Sequence, residues 1–326
     1  MQTKKIREVL AVAVVAGAAV MAPLALAQDY PQRPIRMVVG YPPGGMNDIL
    51  GRIVAAKLRE RLHQQVVVDN RAGASGMIGA DLVAKSQPDG YTLLTTGSSI
   101  STINSLYPKA PFNAAKDLEP IAWIASIPYI FVVPSSLPVM SMSDFIAYAK
   151  ARPGKLNYAG SAPGTVQHLS GELLKRIMGI DMVYVPYKGT GAVMPDLLSG
   201  RLQVAIETVL IMVPHIKSGA LRGLGVTSAK RSAVIPELPT IAEAGVPDFQ
   251  AIGCMAVFAA AKTPPQIVRK LNAEIAAFMK EPELRDRLLA LGVEPVSGPP
   301  DILRNRLARD MEVWGKVIRE VGLKAD

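Results

Sequence analysis

The sequence predicts a two-lobed α/β protein in which each lobe is an open, mainly parallel sheet flanked by helices, with the chain crossing from one lobe to the other and back. Three observations carry that expectation. Short β-branched runs alternate with amphipathic helical stripes, the pattern of strand–helix–strand units on a sheet covered on both faces. The alternation breaks after Phe112, where Pro120, Pro128, Pro134 and Pro138 punctuate two apolar runs, and then starts afresh. The chain is also long, 326 residues of which 49% are hydrophobic, enough to bury two cores.

Ile35–Val39 is the first strand, followed by the turn Pro42-Pro43-Gly44-Gly45 and a helix from about Asn47. In that helix Leu50, Val54, Leu58 and Leu62 recur every four residues with Ile49 and Ile53 beside them, one apolar stripe that needs a sheet to pack on. Val66-Val67-Val68 is the second strand, leading into the turn Gly73-Ala74-Ser75-Gly76 and a helix from about Met77 to Lys85. Tyr91–Thr95 is the third, ending at Gly97-Ser98-Ser99. This is βαβαβ with right-handed crossovers. The runs Ile121–Ala125 and Tyr129–Val133 then carry the chain across. A second set of units follows: helix Met142–Ala151, strand Asn157–Ala159, helix Gly164–Met178, strand Met182–Val185, helix Gly191–Ser199, and strands Gln203–Glu207 and Leu221–Thr227. Ala251–Ala261 is apolar throughout and brings the chain back, where helices Pro265–Met279, Glu283–Leu291 and Asp301–Val321 complete the first lobe. The expected boundaries are residues 28–127 with 251–326 for the first lobe and 128–250 for the second.

The first residues read as an export leader. Lys4, Lys5 and Arg7 precede the apolar stretch Val9–Met21, Pro23 breaks it, and Ala25-Leu26-Ala27 places small residues where a signal peptidase inspects, so residues 1–27 are expected to be removed. A membrane anchor would need roughly 20 uninterrupted apolar residues. No cysteine lies near the cleavage point to accept a lipid, and a freely diffusing periplasmic protein is expected. Cys254 is the only cysteine, so stability has to come from packing and not from a disulfide framework. Losing Lys4, Lys5, Arg7 and Glu8 with the leader takes the formal charge from +9 to +7, a modest field that favours anionic ligands. The same charges, scattered among acids, also serve solubility, and they form no nucleic-acid footprint.

Binding chemistry is expected at five turns of one construction. In each a buried strand ends, small residues let a ligand approach the backbone, and a helix begins, so unpaired N–H groups and the helix dipole favour an anion. Pro42–Gly45, Gly73–Gly76 and Gly97–Ser99 fall at the carboxyl edge of one parallel sheet, the usual ligand edge of α/β folds. Ser161-Ala162-Pro163-Gly164-Thr165 and Tyr187-Lys188-Gly189-Thr190-Gly191 form a matching set in the second lobe. One helix terminus contributes only about 0.3–1 kcal/mol in an exposed setting. A single glycine turn can also be a mere tight connection, so the expectation rests on convergence. Two lobes with such edges would grip a ligand carrying carboxylates at both ends, and gripping favours closure. The ligand-binding candidates are Pro43, Gly44, Gly45, Asn47 and Asp48 after the first strand, Gly73, Ala74, Ser75 and Gly76 after the second, and Ser98 after the third. The second lobe adds Ser161, Thr165, His168, Lys188, Gly189 and Glu207.

Seven stretches in order carry a family resemblance: Tyr30-Pro31-Gln32-Arg33-Pro34-Ile35, Pro42-Pro43-Gly44-Gly45, Asn70-Arg71-Ala72-Gly73-Ala74-Ser75-Gly76, Pro88-Asp89-Gly90-Tyr91-Thr92-Leu93-Leu94, Val185-Pro186-Tyr187-Lys188-Gly189, Leu224–Arg231 and Pro239–Pro247. Gly164-Thr165 with His168 is a further match. With these the chain resembles the substrate-binding receptors of tripartite tricarboxylate transporters, often called Bug receptors. The resemblance implies a two-lobed periplasmic binding protein fold of the second type with a hinge of crossing strands, a cleft for small carboxylates, often dicarboxylates or aromatic acids, and membrane permease subunits as partners. It also implies a carboxylate held by backbone N–H groups, small hydroxyls and bridging water. Cys254-Met255 stands where relatives often carry an aromatic pair, and Glu207 where an Asp is common, so cleft volume and polarity are expected to differ.

Other classes are weighed on the same residues. His63, His168 and His215 show no metal spacing, and no serine sits in a nucleophile elbow, so neither a metal nor a cofactor is expected and no enzyme is predicted. His168 reads either as a ligand contact or as a capping histidine that orients its turn. Cys254 lies in an apolar run, as a buried inert thiol would. Asp48 and Glu207 suit orienting waters or recognising a donor better than acid–base work. Gly73, Gly76 and Gly79 do not make a dinucleotide fingerprint. A receptor read by a sensor kinase instead of a permease needs the same closure and is the alternative. A monomer is expected in either case.

Overall fold

The computed structural model describes residues 30–160, 164–187 and 190–324, and the expected leader lies outside them. Strands β1 (Ile35–Val39), β2 (Val66–Asn70) and β3 (Thr92–Gly97) run parallel, with β1 between the other two. Helix α1 (Met46–Leu62) buries Leu50, Ile53, Val54 and Leu58. A Cβ on Gly51 would come within 2.8 Å of Val39 Cγ2, so this glycine lets the helix settle onto β1. Helix α2 (Met77–Ala84) follows β2, and α3 (Ile103–Leu106) and α4 (Ala114–Asp117) follow β3, the last capped by the Asn113 side chain.

The two short crossing runs expected from sequence are one ten-residue strand, β4 (Leu118–Ile127), then Pro128, then β5 (Tyr129–Pro134). Pro120 is tolerated inside β4 because the pairing shifts register beside its partner Phe258, where a missing donor does no harm. The second lobe runs through α5 (Met142–Lys150), β6 (Asn157–Ala159), α6 (Val166–Met178), β7 (Val183–Tyr184), α7 (Thr190–Leu198), β8 (Val204–Thr208), α8 (Val209–Lys217) and β9 (Leu221–Val226). Helix α8 is absent from the sequence expectation. Its Val209–Val213 run reads equally well as a buried strand, and Pro214 reads as a break. The chain returns in β10 (Gly253–Ala260) and ends with α9 (Pro265–Phe278), α10 (Pro282–Ala290), β11 (Glu294–Pro295) and α11 (Pro300–Glu320).

The first sheet is ordered β11-β4-β10-β3-β1-β2 and the second β7-β6-β8-β5-β9. The parallel pairings are those of β1 with β2 and β3 and of β6 with β7 and β8, while the crossing strands pair antiparallel, so each sheet is mixed. In β5, Tyr129, Phe131 and Val133 join one core and Ile130 and Val132 the other, the two-residue period of a strand buried on both faces. Thr227 ties the crossings together. Its hydroxyl accepts from the Tyr129 N–H at 3.1 Å, its N–H donates to Tyr129 O at 2.9 Å, and its carbonyl accepts from Ala251 N–H at 2.9 Å. Helix α11 does not stay with one sheet. Leu303 and Leu307 pack in the first core, whereas Trp314, Val317 and Ile318 pack in the second with α6.

Candidate ligand-binding site

The three turns that follow β1, β2 and β3 form one packed unit. A Cβ on Gly40 would lie 3.0 Å from Gly76 Cα, and one on Gly79 would lie 2.9 Å from Gly40 Cα, so two glycines outside the predicted set bring the first and second turns together. Tyr41 spans all three: its hydroxyl donates to Ser75 O at 3.1 Å and pairs with Ser99 Oγ, and its carbonyl accepts from Asn70 Nδ2 at 3.0 Å. Gly97 in turn sits where its Cβ would be 3.2 Å from Asn47 Oδ1.

Pro43, Gly44 and Gly45 are exposed, and α1 begins without a side-chain cap. The bond from Ile49 N–H to Gly45 O, 3.0 Å, is the first of its ladder, which leaves the N–H groups of Gly45, Met46, Asn47 and Asp48 ahead of it. In the second turn Gly73, Ala74, Ser75 and Gly76 all have positive φ, and the Gly76 N–H is spent inside the turn on Gly73 O at 3.0 Å. Gly76 therefore serves shape, and the amides of Ala74 and Ser75 are the outer ones. Ser98 Oγ accepts from Cys254 N–H at 2.6 Å and so braces the returning strand, while Ser99 meets Tyr41.

Asp48 is buried and fully used. Its carboxylate accepts from Gly44 N–H, Arg52 Nε and Asn70 Nδ2, each at 2.9 Å. Burial pushes its pKa up, but these hydrogen bonds outweigh burial and bring it down to about 2. It is the post that holds the first turn.

In the second lobe Thr165 caps α6, its side chain accepting from His168 N–H at 3.4 Å, and the His168 ring turns back so that Nδ1 accepts from Gly164 N–H at 3.0 Å. That bond requires a neutral ring with its proton on Nε2. Burial drives the His168 pKa down to about 4, Glu172 opposing and Lys175 assisting. The ring stacks on Tyr184 with centroids 3.7 Å apart. A histidine held below its ordinary value stabilises the fold fully above about pH 6.5, and that stability is lost as pH falls toward 4. Urea midpoints of the parent should therefore drop between pH 7 and 4. His168→Phe keeps the stack, cannot titrate and leaves Gly164 N–H unpaired, so it should flatten that drop while costing about 1–3 kcal/mol at pH 7.

Glu207, the penultimate residue of β8, is fully buried, and its charge acts on two tyrosines that sequence reasoning passed over. Burial first, and then the Glu207 charge, raise the phenols of Tyr129 and Tyr184 and keep them protonated donors. Gly253 makes room for Tyr129, since a Cβ there would lie 2.5 Å from its hydroxyl. Tyr41, Tyr129 and Tyr184 each stand within a residue or two of a strand end, which is the only signal the sequence holds for them. Ser161, Lys188 and Gly189 lie outside the described residues. Cys254 is buried and its thiol is pushed up to about 12 by burial, with Arg306 opposing. Among the described residues there is no cluster of three or more His, Cys, Asp or Glu able to hold a metal, and no helix is long and apolar enough to cross a membrane.

Two α/β sheets on crossing strands, with glycine turns gathered at the carboxyl ends of parallel strands, define a two-lobed solute-binding protein of the periplasmic binding protein class. Residues 50–323 match the tripartite tricarboxylate transporter family receptor. Protein BugT of Bordetella pertussis is 40% identical over 312 residues, 95% of each chain. The solved structure of R. palustris Rpa4515 with adipate is 39% identical, with a TM-score of 0.75 over 90% of this chain and 99% of that one. The periplasmic binding protein BugD is 30% identical, with a TM-score of 0.72 over 91% and 100%. The chain belongs to the tripartite tricarboxylate transporter receptor family, and these family and structural neighbours are binding or receptor proteins.

Proposed function

We propose that this chain is an exported, soluble and monomeric periplasmic receptor. It captures a small dicarboxylate or aromatic acid between lobes 28–127 with 251–326 and 128–250, and delivers it unchanged to the membrane subunits of a tripartite tricarboxylate transporter. The observation that carries the reading is the uncapped N-terminus of α1, whose leading N–H groups sit in a turn fixed by Asp48 and joined to the two neighbouring turns by Tyr41. Such a site takes an anion through backbone amides. A hollow of about 640 Å³ lined by Ala74, Met77, Tyr107, Lys109 and Lys324 borders the second turn and gives an anion a cationic approach. Adipate in a relative 39% identical supports the ligand class.

A thermal-shift screen over mono-, di-, tri- and aromatic carboxylates tests this. One diacid or aromatic acid at a hundred times its Kd should stabilise the fold by about 2.7 kcal/mol. A flat response across the panel, or steady conversion of a bound acid, would end the reading.

A further inference from the structure

We propose that Leu106 is a positioning residue for ligand capture, the side chain through which closure of the first lobe seats the Gly164–His168 turn of the second. The proposal rests on the reading of the chain as a closing receptor. Leu106 ends α3, the short helix that follows the third ligand turn. It is 5% exposed and packs in the core of the second sheet with Tyr129, Val166 and Leu169. Ile103, in the same helix, belongs to the first core with Val38 and Leu94. A four-residue helix thus has one foot in each lobe.

The decisive contact is with Gly164. A Cβ at that position would lie 2.6 Å from Leu106 Cδ1 and 3.3 Å from Cδ2, so the missing side chain is the notch that Leu106 fills. The Gly164 N–H is the donor that His168 Nδ1 accepts, and the next residue caps α6. Pressure from Leu106 therefore reaches the backbone of the turn and not a movable side chain. The contact joins residues of the two proposed lobes, so a closed form that keeps it is stabilised over any open form that loses it.

The test uses the full chain with spin labels at Arg59→Cys and Lys150→Cys, both exposed positions in α1 and α5, and reads the interlobe distance distribution without ligand and with adipate. Leu106→Ala should lower the closed-to-open ratio about tenfold, as loss of a few buried methyl groups would. Adipate should dissociate faster by a similar factor, with its association rate unchanged. Leu106→Met, which refills the notch, should restore both, and Leu106→Val should give a smaller change of the same sign. Gly164→Ala should open the parent but act less in the Leu106→Ala background, where its Cβ meets empty space. Strain at its φ of +76° is present in open and closed forms alike and cancels from the ratio. Distributions matching the parent in folded Leu106→Ala and Leu106→Val, with and without adipate, would overturn the proposal. If adipate leaves the parent's own distribution unchanged, the ligand reading is what fails, and the ligand-free comparison still decides the role of Leu106.

Discussion

Gly45→Leu is expected to fold and melt like the parent and to bind carboxylate about a hundredfold more weakly, the loss expected when several amide contacts to a charged group are blocked. Gly45 has φ −79° and ψ 168°, extended backbone that any residue adopts, and the nearest atom to an added Cβ is Pro42 O at 3.8 Å. The first carbon of a side chain there meets no resistance from the protein, and a leucine is expected to cover the leading N–H groups of α1. Gly76 is a poorer probe. It sits at φ +92°, and its Cβ would press on the Tyr41 ring at 3.2 Å, so a bulky residue would displace the turn itself. Gly45→Asp offers a second route to the same outcome, because its carboxylate would cap α1 from within and compete with the ligand. It should bind no acid and melt no lower than the parent. Calorimetry with adipate beside thermal melts checks both, and parent-like affinity in Gly45→Leu would count decisively against amide capture at this turn.

Asp48→Ala is expected to destabilise the fold by about 2 kcal/mol at pH 7 and to abolish binding with it. Its carboxylate is 4% exposed and takes all three donors that meet at the first turn. Held down to about 2, it contributes stability that is complete above its ordinary value near 3.8 and disappears as pH falls through 2. The stability gap between parent and variant, read from urea unfolding, should therefore be widest at neutral pH and close as pH drops from about 4 toward 2. A gap of constant width down to pH 2 would show that the charge does not hold the turn. Asp48→Asn should behave nearly as badly, since it sets an amide donor against three existing donors.

These two residues show what could be read in advance and what could not. The strands, the helix stripe of Leu50, Val54 and Leu58 and the glycine turns are local patterns, and local patterns survive in sequence. The roles within the site depend on which chain ends meet. Tyr41 joins three turns because β1 lies between β2 and β3, a fact of topology that no spacing reveals. Gly40 and Gly79 matter only because a helix start lands on a strand end from another unit. Ser98 and Asp48 have the chemistry of ligand contacts, yet their polar atoms are taken by Cys254 N–H and by Gly44, Arg52 and Asn70. Helix α8 was illegible for a different reason: a continuous apolar run has no period to read.

In the proposed function, backbone N–H groups at the start of α1 and in the second turn hold the ligand carboxylate. Amide resonances of the ¹⁵N-labelled chain titrated with adipate report on each of those groups separately. Gly45, Met46, Asn47 and Ser75 should move downfield together with one binding constant, and should not move in Gly45→Leu. Saturable adipate binding that leaves those four amides where they began would place the anion elsewhere and contradict the claim.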